Sequence, residues 1–310
     1  MRAALALFFW CKGSRVRATL IVNPKASRVT PELVRAVSRE LERAGPLDVV
    51  ETRARGHAGE LAREAARSAD AIYVFSGDGG FNEALNGLSE DVPIGFLPGG
   101  GTSVLPRALG LPRDPVAAAR ALAAEHRTRR ISLGRVNGRR FAFSAGVGLD
   151  AAAVRLVEER GRSRDGRRSG DLAFAAAFVR LLRAAHGRVE AQAEIAGHGR
   201  AAWVMVSNAD PYTYMGRLPV HVAPEARFEA GLDLVAPRSI RARSVPRFLR
   251  YGLLGRGQER APDFVYVHDA DRIELRCDRP LPLQADGEDL GDVESAVFEA
   301  ERDAVSVLVP

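Results

Sequence analysis

The chain has 310 residues, 46% of them hydrophobic and 27% charged, and a net charge of +6. That composition describes an ordinary globular protein with room for two domains, and excludes disordered, collagen-like and disulfide-framework classes. Lys12 and Lys25 are the only lysines, so the positive charge rests almost wholly on arginine.

A basic protein attracts nucleic acid, anionic membrane or phosphorylated ligands. Nucleic acid is not expected here, because the chain has neither zinc-finger spacing nor basic runs interleaved with aromatics. Cys11 and Cys277 lie far apart, which fits a reducing cytoplasm better than a disulfide framework. The apolar stretch from Ala3 to Cys11 is too short to span a bilayer and has no clear cleavage site. Residues 1–16 therefore read as an N-terminal extension.

In chain order, the apolar run Ala18–Val22 bounded by Asn23-Pro24 predicts a buried strand. Pro31 to Ala44 predicts a helix: Leu33, Val34, Val37 and Leu41 repeat at helical spacing, Thr30 caps it and Gly45 ends it. Further strands are expected at Asp48–Thr52, Ala71–Phe75 and Ile94–Leu97, with helices at His57–Ser68, Asn82–Leu88 and Val116–Ala123 between and after them. Such alternation implies right-handed crossovers and a parallel sheet covered on both faces.

From Ile131 onward strand-like runs dominate: Ile131–Val136, Phe141–Ala145, Arg188–Ile195, Ala201–Ser207, Leu232–Val235, Phe264–Val267 and Arg272–Leu275. Helices are expected at Ala151–Glu159, Asp171–Ala185 and Ser244–Tyr251. This half reads as an antiparallel sandwich. The expected division is 17–132 for the α/β domain and 133–310 for the β-rich domain, whose final strand could return to the first. The arginine- and glycine-rich segment Arg160 to Arg168 reads as a mobile loop.

Three segments carry chemistry. Ser76-Gly77-Asp78-Gly79-Gly80 follows a buried strand and opens the helix bearing Asn82-Glu83, at the sheet edge where open α/β folds bind ligands. Glycines let backbone approach phosphate oxygens, and a helix N-terminus adds unpaired N–H groups. Asp78 would repel a bare phosphate, but makes sense with Mg²⁺ between them or as a group handling an acceptor hydroxyl. Pro98-Gly99-Gly100-Gly101-Thr102-Ser103 is a second strand–glycine–helix turn on the same edge. Asp286-Gly287-Glu288, after the apolar run Leu281–Ala285, reads alone as a hairpin turn. Of the histidines, His186 and His198 are expected near element ends facing solvent, His221 and His268 on the polar faces of strands.

The ordered set resembles the diacylglycerol kinase catalytic-domain family, which includes bacterial diacylglycerol kinases and the sphingosine and ceramide kinases. It comprises Asn23-Pro24, Thr52 with His57, Gly77-Asp78-Gly79 followed by Asn82-Glu83, Pro98 to Thr102 with Arg107, Gly146 to Asp150, and Asp286-Gly287-Glu288. The resemblance runs from about Thr19 to the C-terminus. It implies an N-terminal α/β domain with a parallel sheet, like that of NAD kinases and phosphofructokinases, a C-terminal β-rich sandwich domain, and ATP with Mg²⁺ in the cleft. By position, Asn23 and Thr52 would line the nucleotide pocket. Gly77, Asp78, Gly79 and Gly80 would form the nucleotide-binding turn, with Glu83 nearby and Asp78 toward the metal. Gly99, Gly100, Gly101 and Thr102 would wrap the phosphates. Asp286 and Glu288 would reach in from the second domain, with Asp286 as the expected general base, and Asp150 would lie on the acceptor side.

The expected function is therefore transfer of the γ-phosphate of ATP to a lipid hydroxyl, with diacylglycerol as the first acceptor to consider. A small-molecule kinase like the NAD kinases, and a weakened lipid- or nucleotide-binding module, are the alternatives. The expected setting is the cytoplasm, in peripheral contact with an anionic inner membrane face, first through the Arg160–Arg168 loop and second through the Arg243, Arg247 and Arg250 helix face, which otherwise reads as solvated. A homodimer is left open. The family's first turn usually reads Gly-Gly-Asp-Gly-Thr, where this chain has Ser76 and Gly80 at the outer positions. Its phosphate loop usually continues Thr-x-Asn, where Ser103-Val104 follow Thr102 here. These losses of polar groups bear on rate or substrate, and activity is expected to survive them.

Overall fold

The computed structural model describes residues 17–124, 127–163 and 171–310. The first half alternates as expected: β1 (Ala18–Val22), α1 (Pro31–Leu41), β2 (Leu47–Glu51), α2 (His57–Ala65), β3 (Ala71–Ser76), α3 (Asp78–Gly87), β4 (Ile94–Pro98), α4 (Val104–Ala108) and α5 (Pro115–Ala124). Thr30 Oγ1 accepts the Leu33 N–H at 3.3 Å and Pro31 opens α1, the cap its sequence predicts. β2, β1, β3 and β4 lie side by side and parallel. Alternation along β1 divides the core. Leu20 and Val22 join Val37, Leu41 and Leu122 of α1 and α5 on one face. Ile21 joins Ala58 and Ala62 of α2 and Phe81 and Leu85 of α3 on the other.

The second half contains β5 (Arg127–Val136), β6 (Arg139–Phe141), β7 (Ser144–Val147), α6 (Leu149–Ser163), α7 (Asp171–Ala184), β8 (Arg188–Val189), β9 (Ala193–Ile195), β10 (Gly199–Ala201) and β11 (Val204–Ser207). There follow β12 (Thr213–Met215), β13 (Leu218–Val220), β14 (Leu232–Pro237), β15 (Ile240–Arg241), α8 (Val245–Leu254), β16 (Phe264–Ala270), β17 (Arg272–Ala285) and β18 (Glu288–Val309). The pairings β16–β14–β11–β7–β17–β18 are all antiparallel. Their inward residues, among them Val147, Val206, Leu234, Leu275, Leu283 and Phe298, form one core.

β18 joins the halves. It runs antiparallel to β17 at one end and to β5 along much of its length, and near its C-terminus pairs parallel to β4, Val307 facing Ile94. Residue 132, the expected boundary, falls inside β5, because that strand belongs to the ladder that spans both halves.

Three expected strands are split, Ala201–Ser207 among them, since Ala201 ends β10 and β11 starts at Val204. Phe141–Ala145 breaks between β6 and β7, because the N–H groups of Ala142, Phe143 and Ser144 point to a carboxylate. Arg188–Ile195 breaks between β8 and β9, which pair with different strands. Arg160 to Ser163 continue α6 instead of opening a loop. Arg164, Arg167 and Arg168, like residues 1–16, lie outside the described residues. His221 and His268 are not free strand faces: each Nδ1 meets an aspartate, the half-buried Asp210 and the buried Asp233 respectively. Among the described residues no helix is long and apolar enough to cross a membrane.

Candidate active site

The site lies at the carboxyl ends of β1, β3 and β4, against the β17–β18 turn. α3 begins at Asp78 with Gly77 as its N-cap, four residues earlier than its sequence pattern suggests. Gly79 and Gly80 therefore occupy its first turn, where the N–H groups have no partner within the helix. The glycine turn after β4 folds directly onto the one after β3. A Cβ on Gly100 would stand 2.9 Å from Gly77 Cα, so the two backbones touch only because neither residue carries a side chain. Asp78 Oδ1 accepts the Leu105 N–H at 3.2 Å and ties α4 to the same corner. Gly101, by contrast, faces open space.

The outer positions of the first turn compete for one space. A Cβ on Gly80 would overlap Ser76 Oγ and lie 2.8 Å from Ser76 Cβ. The buried Ser76 hydroxyl accepts the Asn23 Nδ2 hydrogen bond at 3.2 Å. The hydroxyl missing from position 80 is thus matched by one at position 76 in the same volume. Asn23 Oδ1 in turn accepts the Lys25 N–H at 3.0 Å. Thr52 follows the end of β2, its N–H bonded to Val22 O at 2.8 Å. His57 closes the next turn by accepting the Arg53 N–H on Nδ1 at 3.0 Å. Glu83 is half-exposed on α3 and is not bonded to the other site side chains. In the second loop Ser103 adopts a left-handed backbone, with its hydroxyl on both Gly100 N and Gly100 O.

From the second half, Asp286 and Gly287 have φ of 48° and 77° between the paired residues Ala285 and Glu288. Two left-handed residues in a two-residue loop are the geometry an Asp-Gly hairpin favours. The Asp286 carboxylate turns inward and is buried. Its Oδ2 accepts Ala142 N at 2.6 Å and Asn82 Nδ2 at 2.8 Å, and its Oδ1 accepts Phe143 N at 3.0 Å and Ser144 N at 3.2 Å. Burial pushes its pKa up to about 6, against the pull of those donors.

Glu288 is also buried, but both its ion pairs fall on Oε2, from Arg139 at 2.7 Å and Arg55 at 3.4 Å. Arg139 also donates to Asn82 Oδ1 at 2.9 Å, so Asn82 links α3 to both carboxylates. Asp150, in the first turn of α6, is buried and accepts Tyr212 Oη and Gln284 Nε2, each at 2.8 Å. Burial pushes its pKa up to about 6 as well. Gln284 Oε1 accepts Gly287 N at 3.0 Å, which connects Asp150 to the β17–β18 turn.

Sequence reasoning quoted Asn82 and Arg107 as motif residues without giving them a place in the site, and missed Arg139, Arg55, Tyr212 and Gln284. The Arg107 guanidinium lies over the Tyr214 ring, 3.4 Å from its centroid. The Asn82-Glu83 pair carried a signal for Asn82. The arginines carried none in so arginine-rich a chain.

Residues 17–136 match the diacylglycerol kinase catalytic domain, and residues 143–309 match the YegS C-terminal NAD kinase beta sandwich-like domain. The α/β half with its two glycine turns, joined to a β-rich half, is the pairing that these two domain matches describe. The chain belongs to the diacylglycerol kinase catalytic-domain family. It is 27% identical over 280 residues to a diacylglycerol kinase of Bacillus subtilis (strain 168), covering 88% of this chain and 89% of that protein. It is 32% identical over 137 residues to a diacylglycerol kinase of Staphylococcus haemolyticus (strain JCSC1435), 42% of this chain and 41% of that protein. A crystal structure of a diacylglycerol kinase from Bacillus anthracis str. Sterne shares the fold, with a TM-score of 0.71 at 22% identity over 95% of this chain and 97% of that one.

Proposed function

We propose that this protein transfers the γ-phosphate of ATP to a lipid hydroxyl, with diacylglycerol as the leading acceptor. The observation that carries the reading is the meeting of two glycine turns with two acidic residues from the other half of the chain, joined through Asn82.

The residues present suit Mg-ATP. The touching turns at Gly77 and Gly100, the open edge at Gly101 and the N-terminus of α3 form a backbone surface that phosphate oxygens can approach. Asp78 is the carboxylate that would face Mg²⁺, which supplies charge neutralisation on the transferring group. Phosphoryl transfer asks the protein mainly to position the reactants and to take the acceptor's proton. Asp286, the base expected from sequence, has both carboxylate oxygens engaged by two N–H donors each, which suits an anchor holding β6, β7 and α3 together. Glu288 keeps Oε1 clear of its two ion pairs, and we assign it the base role, with Arg139 and Arg55 holding it in place. Asp150, on the far side of Gln284, marks the acceptor side.

The test is purified protein with γ-labelled ATP and separate panels of lipids and of NAD. Label in a lipid supports the reading. Label in NAD alone identifies a small-molecule kinase, and nucleotide binding without any transfer identifies a binding module.

A further inference from the structure

Among the described residues, exposed large hydrophobic side chains are few, and five of the seven lie on two adjoining elements: Met215 and Leu218 on the β12–β13 hairpin, and Leu249, Leu253 and Leu254 on α8. The hairpin strand and the helix are bonded, since His221 N donates to Gly252 O at 2.8 Å. Met215 and Leu218 face each other across the hairpin ladder.

α8 is apolar on both sides. Its inner side packs Phe248 and Tyr251 against Phe264, with ring centroids 4.9 Å and 6.2 Å apart. Its outer side places Leu249 above Leu253 and Arg250 above Leu254, at the i, i+4 spacing that makes helix neighbours. A soluble helix normally turns charge, not leucine, to water.

The unpaired charge on and beside these two elements is basic. Arg217 at the hairpin tip, Arg243 before α8, Arg250 on it and Arg256 after it are exposed and have no ion pair among the described residues. Arg247 differs, being paired with Asp263 and lying over the Phe248 and Tyr251 rings. The same hairpin reaches the active site from its inner side: Tyr212 donates to Asp150, and Tyr214 lies under Arg107 beside the second glycine turn.

We infer that the outer face of α8 and the β12–β13 tip form a docking surface for an anionic phospholipid bilayer, with the leucines entering the headgroup boundary and the unpaired arginines meeting lipid phosphates. Apolar residues ringed by cations are the chemistry of an interfacial helix. A second copy of this chain fits worse, since a two-fold contact would set the same arginines against each other. The inference rests on the lipid-kinase reading only for its purpose, because the surface can be tested without nucleotide.

The experiment is co-sedimentation of full-length protein with phosphatidylcholine vesicles with and without phosphatidylglycerol, at low and high salt. It compares wild type, Leu249→Ser/Leu253→Ser/Leu254→Ser, and Arg217→Ser/Arg243→Ser/Arg250→Ser/Arg256→Ser. Wild type should bind the anionic vesicles in a salt-sensitive way, and each variant should bind ~10-fold or more weakly. All the changed residues are exposed, so both variants should keep the wild-type melting temperature and phosphorylate a soluble short-chain lipid. Failure of that phosphorylation in wild type would count against the kinase reading alone. Equal binding by wild type and both folded variants would overturn the docking surface. So would a wild-type dimer that the leucine variant splits in sedimentation velocity.

Discussion

Asp286 and Ser76 show how a short motif acquires its meaning from distant partners. As a sequence, Asp286-Gly287 is a turn, and a turn carboxylate should be replaceable at little cost in stability. In the folded chain it is the acceptor for three consecutive N–H groups and an asparagine, from residues 142 to 204 positions away. Asp286→Asn would set an amide NH₂ against backbone N–H donors. It should therefore cost about 3 kcal/mol or more, read as a lower denaturant midpoint at unchanged slope. No local pattern announces such a site, because its partners come from the β6–β7 link and from α3. Ser76 and Gly80 were legible as departures from the family pattern, but their shared volume was not. Gly80→Thr alone should lose both stability and turnover, because the new Cβ overlaps Ser76 Oγ. Adding Ser76→Gly should recover most of both. If Gly80→Thr is harmless alone, or the pair is no better than the single variant, the two positions do not compensate.

The elements of the α/β half were legible because each strand is a buried apolar run and each helix has a face. The start of α3 was not, since glycines at its N-cap and in its first turn argue locally for a loop, while the contact with the second glycine turn is what favours helix there. That contact separates two variants. Gly101→Val meets nothing within 4 Å, so it should leave the melting temperature unchanged while weakening ATP binding by ~10-fold or more where phosphate approaches the backbone. Gly100→Val strikes Gly77 Cα and should lower both stability and affinity. Calorimetric titration beside a thermal melt distinguishes them, and unchanged ATP affinity in Gly101→Val would place the phosphates elsewhere.

At the scale of the whole molecule, composition pointed to two domains, but one sheet runs through both. β18 belongs to the ladders of β17, β5 and β4, pairings that no local sequence signal specifies. The halves should therefore unfold together, as a single calorimetric transition; two resolved transitions would contradict the shared sheet. Acid titration reports on the join as well. Asp150 and Asp286 have pKa values raised from an ordinary 3.8 to about 6 by burial. The native state therefore holds these protons more tightly than the unfolded state. Their contribution to stability is full below about pH 4 and is lost as pH rises through about 6. Asp150→Asn should decline less steeply than wild type over that window in denaturant titrations, and parallel curves would show that Asp150 does not titrate there.

The central claim is that the glycine turns and the β17–β18 corner form one phosphoryl-transfer site for a lipid hydroxyl. Its most direct test is label transfer from γ-labelled ATP to short-chain diacylglycerol by wild type and Glu288→Gln, with ATP affinity measured alongside. The account predicts labelled lipid with wild type, and with Glu288→Gln a fall in kcat of ~10²-fold or more at unchanged ATP affinity. A Glu288→Gln protein that keeps its full kcat, or a wild type that binds ATP and labels no lipid, would contradict it.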